Sequence, residues 1–177
     1  KGPLNWEWVQ AILRTLDRPP VGERAIDRFT RDVYVYLTFR AVRKQIDAMI
    51  TEKLTPGTCV VVAHSLGTVV AYNVLRNTKP EVGVSLFLTL GSPLGLRTIR
   101  NRVESPLAMP KCAEKWFNAM DERDVVALFP LTRRNFAIDP EIENKTDVNN
   151  HTDNRHGIDG YLDDPVVARR ICEALGG

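Results

Sequence analysis

Three residue types arrive along this chain in an order that chemistry can use: Ser65, then Asp121 and Asp124, then His151 and His156. A serine hydroxyl is a poor nucleophile until a base within hydrogen-bond reach takes its proton, and that base needs an acid to orient it. Ser65 lies within Thr58 to Leu75, TCVVVAHSLGTVVAYNVL. Small residues flank it at minus two and plus two, Ala63 and Gly67, where bulk is expected to block a sharp reversal from strand to helix. This is the small-x-Ser-x-Gly pattern of a nucleophile elbow, whose partners follow in the order Ser, acid, His. Such a turn lifts one hydroxyl out of a sheet and aims it at the start of the next helix. The backbone N–H of Leu66 would there meet a developing oxyanion, helped by the helix dipole. The predicted chemistry is acyl transfer. His64, beside the serine, is read as structural, with its side chain directed away from the hydroxyl.

The elements that must position these groups can be read on either side. Cys59 to Val62 is β-branched and apolar on both faces, as in a strand of a helix-covered parallel sheet, and a helix is expected from about Thr68. Val84 to Leu90, VSLFLTL, predicts a second buried strand ending in Gly91-Ser92-Pro93, a sharp turn at the carboxyl edge where ligands of open α/β sheets bind. Ser92 is read there as a turn residue. Lys115 to Met120 predicts a third strand that runs directly into Asp121 and Asp124, so either carboxylate would stand at a strand end. A short strand is expected near Ile142 to Val148. Val166 to Leu175 reads as a helix with Asp164 as N-cap and Pro165 at its first position.

Upstream, helices are expected over residues 5–16, with Asn5 as N-cap and Pro19-Pro20 as the stop, and over residues 22–37 and 40–53. Trp6 and Trp8 read as core or lid surface. Val42, Ile46, Met49 and Ile50 form one apolar face expected to cover the sheet. Residues 97–113 are basic and irregular, Pro130 to Asp147 reads as a long excursion, and the stretch from Pro130 to Asn150 with the helices near Trp6 is the candidate lid. The alternation of strands and helices predicts an α/β class.

These residues resemble the α/β-hydrolase-fold serine esterases and lipases, and the similarity continues through GSPLGL (Gly91 to Leu96), WFNAMDERDVVALFP (Trp116 to Pro130) and NHTDNRHGIDGYLDDP (Asn150 to Pro165). The chain is similar to a family of bacterial serine hydrolases distantly related to lipases of the GPI-inositol deacylase type, over about residues 23 to 175. The resemblance implies an α/β-hydrolase fold, a mostly parallel sheet flanked by helices. It selects His156, in RHGIDGYL, as the base. It favours Asp124, followed by Val125-Val126, as the acid over Asp121, which stays as the alternative. Ala63 stands where most members carry Gly. The family opens with a strand ending in a His-Gly loop that gives a second oxyanion donor, and nothing before Val60 matches it. The expectation is therefore a single domain, 1–55 as helical cover and 58–177 as catalytic core, completed by strands upstream that would cover the apolar edge of the elbow strand.

Composition bounds the remaining choices. At 177 residues and 44% hydrophobic, the chain has the material for one sizeable core. A net charge of +2, from 24 basic and 22 acidic residues spread along the chain, gives no basic stripe, so no nucleic-acid partner is expected. No run of about 18 apolar residues could span a membrane. Three scattered cysteines, Cys59, Cys112 and Cys172, form neither a disulfide framework nor a zinc pattern and favour a reducing, cytoplasmic compartment. Asp139, Glu141, Glu143, Asp147 and Asp153 lack the spacing of a calcium loop, and no cofactor or metal is expected. No Gly-rich phosphate loop follows a strand, and AHSLGT lacks the lysine of a P-loop. The function expected is a serine hydrolase cleaving small-molecule or lipid carboxylic esters, with a noncatalytic binding or assembly module of the same fold as the alternative. Nothing in the sequence marks an oligomeric state.

Overall fold

The computed structural model describes residues 23–79, 81–153 and 155–176, with side chains from residue 29 onward. The helix expected over residues 5–16 lies outside them. Helices α1 (Glu23–Thr38) and α2 (Arg40–Thr51) precede β1 (Gly57–His64), α3 (Leu66–Arg76) and β2 (Val82–Leu90). A 3-10 turn (Pro93–Gly95) and the short α4 (Arg97–Arg100) lead to β3 (Trp116–Ala119) and β4 (Glu143–Lys145), and α5 (Ile158–Leu162) and α6 (Pro165–Ala174) end the described chain. The four strands form one sheet in the order β1-β2-β3-β4. Every pairing is parallel, which gives the α/β class. Among the described residues β1 is an edge strand, and its Val62 is 39% exposed.

The two faces of the sheet feed two separate cores, with an irregularity between Val84 and Leu86 that turns these two residues to opposite sides. In β2, Val84 and Phe87 point into one, with Tyr36, Val69, Tyr72 and Trp116, under α1 and α3. Leu86, Leu88 and Leu90 point into the other, with Phe117, Tyr161 and Val167, under α5 and α6. Both faces of this inner strand are thus dry, which is why apolar residues stand on both of them, in succession at Leu86, Phe87 and Leu88. Asp164 caps α6 as expected, accepting from the N–H groups of Val166 and Val167, with Pro165 at the first turn.

Two expectations need correction. Helix α2 has no buried residue, and Met49 and Ile50 are 65% and 40% exposed. It packs on α1 and α3, one layer out from the sheet it was expected to cover. The excursion after Pro130 is fastened to the core: Phe136 is buried edge-on to Tyr72 and Trp116, at 5.2 and 5.6 Å between ring centres. Leu131, Ile138 and Ile142 are buried with it, so this stretch is core rather than a hinged cover. The stretch after His156 contains the helix α5.

Candidate active site

The turn between β1 and α3 holds Ser65 at φ 55 and ψ −128, a conformation that non-glycine residues adopt only when the surroundings enforce it, at a cost of about 1–3 kcal/mol. The enforcement is visible. The Ser65 N–H donates to the carbonyl of Leu90 at the end of β2 (3.0 Å), and the Ser65 carbonyl accepts from the N–H and the hydroxyl of Thr68 (3.0 and 2.7 Å). The Thr68 hydroxyl also lies 2.9 Å from Ser92 Oγ, which in turn accepts from the Leu94 N–H. Ser92 is therefore a turn residue that braces the elbow. The steric need expected at Gly67 is not found, since a Cβ there would meet nothing within 4 Å.

The raised hydroxyl meets the loop before α5. Ser65 Oγ is 2.8 Å from His156 Nε2, and His156 Nδ1 is 2.7 Å from Asp124 Oδ2. An ionised carboxylate only accepts, so Nδ1 carries the ring proton and Nε2 is left to accept from the serine. The imidazole side chain is 14% exposed and the Asp124 side chain is fully buried. Asp124 is satisfied from every side: Oδ1 accepts from the N–H groups of Val126 and Ala127 (2.8 and 3.4 Å), and Oδ2 accepts from His156 and from the Tyr161 hydroxyl (2.6 Å). Burial and the neighbouring Asp124 charge push the Tyr161 phenol up, so it stays protonated and can only donate to that carboxylate.

The other candidates stand elsewhere. Asp121, buried and close by, gives its two oxygens to the Arg123 and Asn150 N–H groups (2.7 and 2.9 Å). It holds the loop that carries His156, with Asn150 as the second clip: the Asn150 amide donates to the Gly157 carbonyl (2.8 Å) and accepts from Thr152. His151 is 61% exposed, 3.6 Å from Asp163, and apart from the site. Leu66, next to the nucleophile, opens α3, where the first N–H groups of a helix have no partner within it.

Three features were not legible beforehand. Gly91, at φ +55, forms the floor: a Cβ there would lie 3.0 Å from Asp124 Oδ2 and 3.2 Å from His156 Cε1. His64 Nε2 lies 2.7 Å from the His156 carbonyl, and the two rings lie tilted by 37° with their centres 4.7 Å apart. Burial, and then the nearness of His156, push its pKa down to about 4. Phe29 of α1 stands edge-on to the His156 ring at 6.2 Å. Among the described residues no group of three His, Cys, Asp or Glu side chains converges as a metal site, and no helix is long and apolar enough to cross a membrane. Comparison with protein-family models, with curated proteins and with solved structures gave no match, so the reading of the site rests on its own residues.

Proposed function

We propose that this chain is a serine hydrolase of the α/β-hydrolase type that cleaves carboxylic esters through an acyl-enzyme, with Ser65 as nucleophile, His156 as base and Asp124 as the orienting acid. The observation that carries the reading is the hydrogen-bonded chain from Ser65 Oγ through both ring nitrogens of His156 to Asp124, at 2.8 and 2.7 Å, starting from a serine held at positive φ. Either half alone has structural explanations. A strained serine joined to a base whose tautomer is fixed by a buried carboxylate is costly to build for architecture alone.

The steps balance without a cofactor. Ser65 Oγ bonds to the ester carbonyl carbon while its proton passes to His156 Nε2, and the carbonyl electrons move onto oxygen, facing the Leu66 N–H. Collapse of that intermediate breaks the carbon–oxygen bond, and the departing alkoxide takes the proton from His156. Water then adds to the acyl-enzyme with the same base, releasing the acid and restoring Ser65. Asp124 stays ionised throughout and stabilises the imidazolium that forms twice in the cycle.

The deciding experiment is labelling with a fluorophosphonate probe, which reacts with an activated serine. The wild-type chain is expected to label and Ser65→Ala to remain unlabelled, with p-nitrophenyl ester hydrolysis lost in parallel. A folded wild type that neither labels nor hydrolyses esters would remove the proposal and bring forward a binding or assembly role for the same fold.

A further inference from the structure

Tyr161 stands outside the three residues assigned above, yet its hydroxyl shares an oxygen with them. The phenol has one hydrogen and two acceptor positions. The Asp121 backbone N–H, 3.2 Å away, occupies one acceptor position, and Asp124 Oδ2, 2.6 Å away, is the carboxylate that receives the hydrogen. The N–H donor of Asp121 thereby fixes the direction of the Tyr161 O–H. Oδ2 is also the atom that accepts from His156 Nδ1, so two donors divide the charge of a single, fully buried oxygen. The ring of Tyr161 is itself buried and lies against Gly91, with the position of a Gly91 Cβ 3.1 Å from Tyr161 Cε2. No solvent reaches the shared oxygen to blunt the competition.

Building on the serine-hydrolase reading, we propose that Tyr161 is a positioning residue that sets how strongly Asp124 holds the His156 imidazole, and so sets the pH at which the base becomes competent. Each donor to Oδ2 weakens the pull of the other, because both draw on the same negative charge. With the phenol in place the carboxylate is a moderate partner, and without it the imidazolium is held more tightly. Among the described side chains, the other titratable or charged groups facing this cluster are His64 from β1 and Asp121 after β3. Arg123 and Arg155 each lie 3.6 Å from Asp121. None of these donates to Oδ2, so Tyr161 can be varied without disturbing the count of charges.

The test uses the full chain with Tyr161→Phe and, separately, with 3-fluorotyrosine at position 161, a stronger donor of nearly the same shape. Two quantities are read: the acid limb of kcat/KM for a p-nitrophenyl ester, and the proton NMR resonance of the His156 Nδ1–H, which needs no activity. Loss of one hydrogen bond to the carboxylate is expected to move the limb to higher pH by about half a unit and the resonance to lower field. The fluorinated chain is expected to move both the opposite way. Opposite shifts support the role, and a limb and resonance unmoved in both chains would overturn it and leave Tyr161 as packing. If Tyr161→Phe fails to fold, the fluorinated chain decides. If the wild type hydrolyses no ester, the serine-hydrolase reading falls, and the resonance still decides whether Tyr161 tunes the His156–Asp124 bond.

Discussion

The carbonyl oxygen of His156 accepts a 2.7 Å hydrogen bond from His64 Nε2, so the residue beside the nucleophile holds the backbone of the base. A carbonyl cannot donate, which fixes the proton of His64 on Nε2. Replacement by Phe keeps the ring packed on His156 but removes the donor. His64→Phe is expected to lower kcat about tenfold with KM nearly unchanged, the worth of one hydrogen bond spent on orientation. Steady-state kinetics on a chromogenic ester checks this, and an unchanged kcat would reduce the contact to an incidental one.

The same histidine makes stability depend on pH. Its pKa, about 4 in the fold, lies below the ordinary value of 6.5, so between those values the unfolded chain binds more protons at this position. Stability therefore rises with pH across that window and is lost as the solution is acidified through it. The full shift is discounted for partial exposure to about 2 kcal/mol, or roughly 5 °C in Tm. His64→Gln, which retains a donor and cannot charge, is expected to flatten the melting curve against pH between 4 and 6.5. Parallel curves for the two proteins would contradict the assignment.

Gly91 permits the site by lacking a side chain. Its φ of +55 disfavours other residues, and a Cβ would press on Asp124, Tyr161 and His156 at 3.0 to 3.2 Å. Gly91→Ala is expected to displace the imidazole by some tenths of an ångström and to lower kcat/KM by about two orders of magnitude, with a small loss of Tm. A variant as active as wild type would show that the loop before α5 yields without cost.

Much of this arrangement could be read from the sequence because it is local. The apolar run of β1, the turn at Ser65 and the helix that follows are all written within Thr58 to Leu75, and Asp164-Pro165 announces α6 within two residues. Strand ends also place Asp121 and Asp124 at the correct edge, but cannot rank them, since the choice depends on which carboxylate faces a loop some 30 residues away. The contacts between His64 and His156, and between Tyr161 and Asp124, join positions 92 and 37 residues apart, and no periodicity encodes them. Helix α2 misled for a related reason: an amphipathic pattern gives the face to be covered and not the layer that covers it. Gly91 was legible as a turn, while its proximity to the base depends on β1, β2, β3 and the loop before α5 converging.

The two aspartates offer the sharpest separation of roles. Asp124 Oδ2 is 2.7 Å from the imidazole, whereas the oxygens of Asp121 are taken by the backbone N–H groups of Arg123 and Asn150. Asp124→Asn replaces an acceptor with an amide that can donate to Nδ1, which favours the wrong tautomer and leaves Nε2 protonated and unable to take the serine proton. The loss expected in kcat is about 10⁴-fold with little change in fold, because the amide retains an oxygen for Val126 and Ala127. Asp121→Asn removes one of two anionic acceptors from the loop of His156. A fall in Tm of a few degrees, about 1–2 kcal/mol, is expected there, with kcat within tenfold of wild type. Measured side by side, kcat and Tm should therefore move in opposite pairs: rate lost and stability kept at position 124, stability lost and rate largely kept at 121. The reverse pattern would make Asp121 the orienting acid and would require the loop to close differently in solution.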